Sequence, residues 1–255
     1  MISIIGLNLG SIVITNLRTN FISINDVKNF DHSCLHLAFY LASWGMLRGG
    51  SFLLQKDFRI HQYFLNDVVT NKHYHKYCDP KFQQSMTKAN VEGINELIQN
   101  TINAYTSNIL EINGQDKLLN ITDTLSSKIL LGVYGNVPAY DRYLKAALSL
   151  HGIKSQFGED SLLEITEFYN LNRTKFEECQ RLFSQDGTHY TPMKLVDMYF
   201  WQVGFIMDNP KDASEEIQAL IKATFIKPQM PDYIRTETRP VVNKGLTESI
   251  RKHYC

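Results

Sequence analysis

The chain has 255 residues, enough for one large domain or two small ones, and its 44% apolar content excludes wholesale disorder. Its 26 Lys and Arg balance 26 Asp and Glu, so the formal net charge is zero. That balance excludes a strongly basic protein that coats nucleic acid indiscriminately, while leaving room for a local basic patch.

The N-terminal MISIIGLNLGSIVIT is apolar but short, lacks a basic start and is broken by Gly6, Asn8 and Gly10. It reads neither as a signal peptide nor as a membrane span. Partial alternation of Ile2, Ile4, Ile12 and Ile14 allows a short strand or hairpin, and any β-structure is expected within the first 30 residues. Residues 31–50, DHSCLHLAFYLASWGMLRGG, form the most apolar segment. Asp31 or Ser33 can cap a helix there, Leu35 to Leu47 is apolar nearly all round, and Gly49-Gly50 ends it after Arg48. This is either a core helix with a glycine stop or a helix whose Tyr40 and Trp44 wall a pocket for a flat ligand.

Residues 52–70 predict another helix, with Phe58, Tyr63, Leu65 and Val68 as its apolar positions. NKHYHKYCDP (71–80) reads as a polar surface loop. Its His73, His75 and Cys78 lack the distant partner pair that zinc needs. From Lys81 to Leu110 the period of Val91, Ile94, Leu97, Ile98, Ile102 and Tyr105 predicts a long helix.

The stretch Thr124–Ile153 reads as helix, tight turn, helix. Leu125, Ile129 and Val133 line one face of the first helix, and Gly135-Asn136 tolerates the left-handed backbone of its end. Val137-Pro138 restarts the chain in an extended conformation. Asp141 then opens a second helix with Leu144, Ala147, Leu148 and His151 on one face, stopped by Gly152. Beyond it, Leu162–Phe183 predicts one or two helices. Thr191-Pro192 starts a nearly all-apolar helix that Asp208-Asn209-Pro210 ends, and Ser214–Phe225 predicts one more. Pro228–Gly245 carries Pro228, Pro231 and Pro240 and reads as extended. From Lys222 to Lys252 seven Lys or Arg face three Asp or Glu. That segment is either a solvated tail or a clamp along a phosphate backbone.

Cysteines stand at 34, 78, 179 and 255, too far apart for a metal-binding cluster, and with no export signal they suit a reducing cytoplasm. Neither a P-loop nor a G-x-S-x-G or G-x-G-x-x-G motif occurs.

The central stretch resembles the helix-hairpin-helix DNA glycosylase superfamily. The matching residues are Lys128-Ile129-Leu130-Leu131, Gly135, Val137-Pro138, Asp141, Lys145 and Leu150-His151-Gly152-Ile153, about 35 residues in all. The resemblance implies a mainly α, single-domain bundle over 1–255, with the central motif at 119–153 and the basic segment 228–252 along DNA. It implies a partner, double-stranded DNA carrying a modified base, no cofactor, and hydrolysis of the N-glycosidic bond of a base flipped from the duplex. Asp141 is the carboxylate at the family's catalytic position.

Tyr40, Trp44, Arg48, Lys56 and Asp57 are expected to line the base pocket. Thr122, Thr124, Ser126, Ser127, Lys145, Arg235, Arg239 and Lys244 are expected to meet DNA. The hairpin position reads Leu119-Asn120-Ile121-Thr122-Asp123-Thr124, without the family's Gly-x-Gly and without a lysine. The resemblance therefore implies a monofunctional enzyme that leaves an abasic site. Some prokaryotic members defend against phages that carry glycosylated cytosines, and such a base is an expected substrate. The alternative is a non-catalytic helical module that binds DNA or a protein through the same helix pair; a helical antitoxin or immunity-type protein is a third possibility.

Overall fold

Apolar residues at helical spacing build a mainly helical chain in the computed structural model, which describes residues 27–49, 51–112, 114–116, 119–184, 190–209, 214–216 and 219. Helix α1 spans Val27–Ser43, and α2 is the single turn Gln62–Phe64. Then follow α3 (Pro80–Ser85), α4 (Ile94–Thr106), α5 (Asp123–Tyr134) and α6 (Arg142–Leu150). The series closes with α7 (Glu159–Leu171), α8 (Arg173–Phe183) and α9 (Pro192–Asp208). Among the described residues no helix is long and apolar enough to cross a membrane.

Local signals placed several boundaries where the sequence puts them. The Thr122 hydroxyl accepts from the Leu125 N–H at the start of α5, and Gly135 ends that helix at φ +63°. Asp141 caps α6. Thr191 caps α9 with Pro192 in its first turn, the place where a missing N–H is harmless.

Other boundaries differ from the sequence reading. Helix α1 starts at Val27, so Asp31 and Ser33 lie inside it. It stops at Ser43, six residues before Gly49, because Gly45 takes φ +67°. The Gly45 N–H reaches the Ala42 carbonyl at 2.8 Å and the Met46 N–H reaches that of Leu41 at 3.0 Å, a paired closure that satisfies two of the last carbonyls.

Residues 52–78 are a series of tight turns rather than one helix and a loop. They run through 3-10 turns at Phe52–Gln55 and Phe58–His61, a π turn at Leu65–Val69, and a 3-10 helix at Lys72–Cys78. The stretch expected to be a polar loop buries Tyr74 and Tyr77 in the core. The long pattern after Lys81 is broken by left-handed backbone at Met86 and Gly93.

The expected confinement of β-structure to the first 30 residues is also corrected. Residues 1–26 lie outside the described residues, and a two-stranded hairpin stands elsewhere. In it β1 (Glu111–Ile112) pairs antiparallel with β2 (Gln115–Asp116), Glu111 opposite Asp116. Asn113-Gly114 between them is the dipeptide that favours a two-residue hairpin turn, and Gly114 has φ +69°. The predicted helix at 214–225 and the basic segment 228–252 fall largely or wholly outside the described residues.

One continuous apolar cluster runs from α1 through α9, with Leu37, Phe64, Tyr105, Leu130, Leu148 and Phe200 among its fully enclosed side chains. Two close helix approaches set its geometry. Helix α1 lays Tyr40 on Gly132 of α5, where a Cβ would stand 2.4 Å from the ring. Helices α6 and α9 meet at Gly204, where a Cβ would stand 2.1 Å from the Tyr143 carbonyl oxygen. The obstacle at Gly204 is backbone and cannot rotate away. Gly204→Ala is therefore expected to lower the unfolding free energy by about 1–3 kcal/mol, read by urea denaturation. A change below about 0.5 kcal/mol would mean that α6 and α9 separate without cost.

Candidate active site

Every residue of α5 from Leu125 to Tyr134 is buried, and Lys128 stands among them with only 5% of its surface exposed. A lysine in the middle of an enclosed helix needs a reason, because an ammonium loses its hydration there. Its Nζ lies 3.9 Å from Oδ2 of Asp141. Asp141 divides its carboxylate between two tasks. Oδ1 accepts from the N–H groups of Tyr143 at 3.0 Å and Leu144 at 3.1 Å, the capping bonds that α6 requires. Oδ2 faces Lys128. The Asp141 side chain is 14% exposed, so it sits at the edge of the interior rather than within it.

The turn that delivers Asp141 is stapled from outside. The Tyr140 N–H donates to Ser127 Oγ at 2.8 Å, and Thr124 Oγ1 donates to the Tyr140 carbonyl at 2.9 Å. From the far side, the Ala139 N–H donates to Asp197 Oδ1 at 2.8 Å, and Thr191 Oγ1 donates to the Gly135 carbonyl at 2.6 Å. Asp197 lies on α9 with 1% exposure, and its Oδ2 accepts from Lys194 Nζ at 2.7 Å. Lys194 Nζ stands 4.7 Å from the centre of the Trp44 ring and Lys128 Nζ stands 4.9 Å from it. An indole therefore carries two ammonium groups, an arrangement its negative ring face favours.

Burial dominates the charges of this cluster. It pushes the Lys128 pKa below the usual lysine range; the Asp141 and Asp197 carboxylates oppose that shift, and Arg48 and Lys194 add to it. Burial likewise raises Asp141 above the ordinary carboxylate range, against the lowering effect of the Leu144 N–H and of Lys128. The two shifts agree: at 3.9 Å the mutual attraction does not repay the lost hydration.

The expected pocket residues separate into those near this cluster and those away from it. Trp44 is in the cluster, at the C-terminal cap of α1, but its ring is occupied by lysines rather than held open for stacking. Arg48 is exposed, with its guanidinium beside Gly45 and its charge felt by Lys128. Tyr40 is corrected to a core residue. It is 1% exposed, packed on Gly132 and against Trp44, and its hydroxyl is buried, so it walls nothing.

Lys56 and Asp57 are not brought to the cluster. Asp57 caps the Phe58–His61 turn through the Arg59 N–H at 2.8 Å, and Arg59 in turn binds Asp31 near the start of α1. Asp31 precedes Trp44 by thirteen residues, about 20 Å along a helix. Nearness in sequence to Gly49-Gly50 did not translate into nearness in space.

The expected DNA contacts are also revised. Ser126 and Ser127 are fully buried: the Ser126 hydroxyl donates to the Thr122 carbonyl at 3.2 Å, and that of Ser127 to the Asp123 carbonyl at 2.5 Å. They hold the motif together and present nothing to DNA. Thr124 is tied to the Tyr140 carbonyl. Thr122 is exposed at the mouth of α5, and Lys145 is half-buried with Nζ 2.7 Å from Asp123 Oδ2. Arg235, Arg239 and Lys244 lie outside the described residues. Among the described residues, no three His, Cys, Asp or Glu side chains come together as a metal site.

Lys194 and Asp197 were not singled out from the sequence, and Lys128 entered it as a helix residue of the motif near Asp141. The available signal was incongruity: Lys128 stands on the motif's first helix directly before the apolar run Ile129-Leu130-Leu131, and Asp197 interrupts the apolar run of α9. Compared with protein-family models, with curated proteins and with solved structures, the chain gives no match.

Asn caps a helix as well as Asp does, so Asp141→Asn is expected to keep the fold, whereas Asp141→Ala is expected to lose about 1 kcal/mol. The raised pKa gives the difference a pH dependence. The protonated carboxyl stabilises the folded chain fully below the ordinary carboxylate range, and that contribution is lost as pH rises through the raised value. The Asn variant should therefore gain on the parent as pH rises across that window. Urea unfolding at acid and neutral pH checks this; an Asn variant that weakens with rising pH would show that burial is not what governs Asp141.

Proposed function

We propose that this protein hydrolyses the N-glycosidic bond of a modified base flipped out of duplex DNA, with Asp141 as its catalytic carboxylate. The observation that carries the reading is the division of labour at Asp141: one oxygen is consumed by the α6 cap and the other is directed at the buried Lys128. A residue needed only as a cap would gain nothing from a partly desolvated second oxygen. A residue that must stabilise positive charge on a sugar does, because a carboxylate acts more strongly where water is excluded.

In this reading the flipped nucleotide presents C1′ to Asp141 Oδ2. The sugar gains oxocarbenium character as the base departs, and Asp141 stabilises that charge and orients the attacking water. The product is an unbroken strand with an abasic site, since positions 119–122 contain no lysine. Cytosines bearing a glycosylated hydroxymethyl group, as in phage DNA, are the proposed substrates, and antiviral defence the proposed role. A second reading, a helical module that binds without catalysis, is favoured by the absence of Gly-x-Gly at 119–122 and by the enclosure of Ser126 and Ser127.

The deciding experiment incubates the protein with duplexes that each hold one modified base, among them 5-hydroxymethylcytosine and its glucosylated form, and measures abasic sites. The parent is expected to release base without nicking the strand. Asp141→Asn is expected to release it on the order of a hundred times more slowly. Full activity in that variant would reduce Asp141 to a cap, and no abasic sites from any duplex would favour the binding module.

A further inference from the structure

Lys128 has three N–H donors and, among the described residues, no hydrogen bond. The groups that face it are Asp141 at the mouth of α6, Asp197 and Lys194 on α9, Arg48 beyond α1, and the Trp44 ring. Its neighbour Lys194 is already held by Asp197 at 2.7 Å. Lys128 is not held: its carboxylate is 3.9 Å away, outside hydrogen-bond range. A largely buried ammonium with no protein acceptor in hydrogen-bond range leaves its donors available to an acceptor atom on a ligand. The same gap lets Lys128 and Asp141 address two different atoms of one ligand.

We propose that Lys128 is the acid of the base-release reaction, donating to the leaving base at the acceptor beside its glycosidic nitrogen, O2 of a pyrimidine or N3 of a purine. The assignment rests on the base-release reading above and supplies the half of the chemistry that Asp141 cannot. The C1′–N bond breaks with its electron pair passing to the base, and the Lys128 proton moves onto the base. A water oxygen bonds to C1′ while its proton passes to Asp141. The products are the neutral base and an abasic sugar; the proton on Asp141 then returns to the Lys128 amine. The lowered pKa of Lys128 suits a donor that must release its proton.

This arrangement also narrows the substrate. Protonation matters most for bases that leave poorly as anions, and cytosine derivatives belong to that class.

The test measures single-turnover base release for wild type, Lys128→Met and Lys128→Arg on the same duplex series, from acidic to alkaline pH. Wild type is expected to lose rate at alkaline pH as Lys128 gives up its proton. Lys128→Met is expected to be about a hundredfold slower or more and to lack that alkaline limb. Lys128→Arg, which keeps a charged donor, should recover part of the rate and shift the limb upward. Circular dichroism separates a chemical defect from an unfolded Met variant, and the wild-type limb and the Arg variant stand without it. Wild-type rate in Lys128→Met, a limb that persists without Lys128, or a borohydride-trapped lysine adduct on DNA would each overturn the assignment. If wild type releases no base from any duplex, the base-release reading has failed and this proposal with it. If wild type is active and Lys128→Met is equally so, only the role of Lys128 is refuted.

Discussion

The turn between α5 and α6 is entirely enclosed, from Gly135 to Tyr140, and its backbone groups belong to no helix. Each buried N–H and carbonyl there must find a partner or remain at a cost of one to a few kcal/mol. Partners come from two directions. Thr124 and Ser127 reach it from α5, and Thr191 and Asp197 reach it from the start of α9. This satisfaction of one short turn ties α5, α6 and α9 together and fixes the position of Asp141. The same demand explains why small hydroxyl residues populate the α5 face: their oxygens replace the water that the turn cannot reach.

Closing that turn with a carboxylate has an electrostatic consequence. Asp197 accepts from both Ala139 and Lys194, which places a buried carboxylate beside Asp141 and Lys128. Lys194 compensates it at close range, and the Trp44 ring receives both lysines. What results is a nearly enclosed set of two carboxylates and two ammonium groups, of which only the Lys194–Asp197 pair is in hydrogen-bond contact. The looser pair, Lys128 and Asp141, bears pKa shifts in the direction that burial dictates. A cluster of this kind costs stability where its charges are poorly paired, and strongly shifted groups are concentrated at functional sites.

The end of α1 matters for the same reason. Its closure at Gly45 turns the chain away one residue after Trp44, so the indole stands at a helix end, close to Tyr40, and Arg48 reaches back beside Gly45. Had the helix continued to Gly49, as its composition suggests, Trp44 would have remained on a regular helical face. The close approach of Tyr40 to Gly132 then sets how near α1 lies to α5, and therefore how near Trp44 lies to Lys128.

The sequence by itself determined the features that act over three or four residues. The helical character of α5, α6 and α9, the stop at Gly135, the cap at Asp141 and the start at Thr191-Pro192 all follow from a residue and its immediate neighbours. The choice of Asp141 as the residue at the mouth of α6 was legible for that reason. Only the tertiary structure decided which polar side chains share one space. Lys128, Asp141 and Asp197 come from three helical segments, and nothing in local pattern states that Lys194 and Lys128 converge on Trp44. It likewise sent Lys56 and Asp57 to the far end of α1, enclosed Ser126 and Ser127, and broke 52–78 into turns around Tyr74 and Tyr77. Caps and periods are short-range properties of the backbone, whereas the burial of a charge depends on which distant segments exclude water from it.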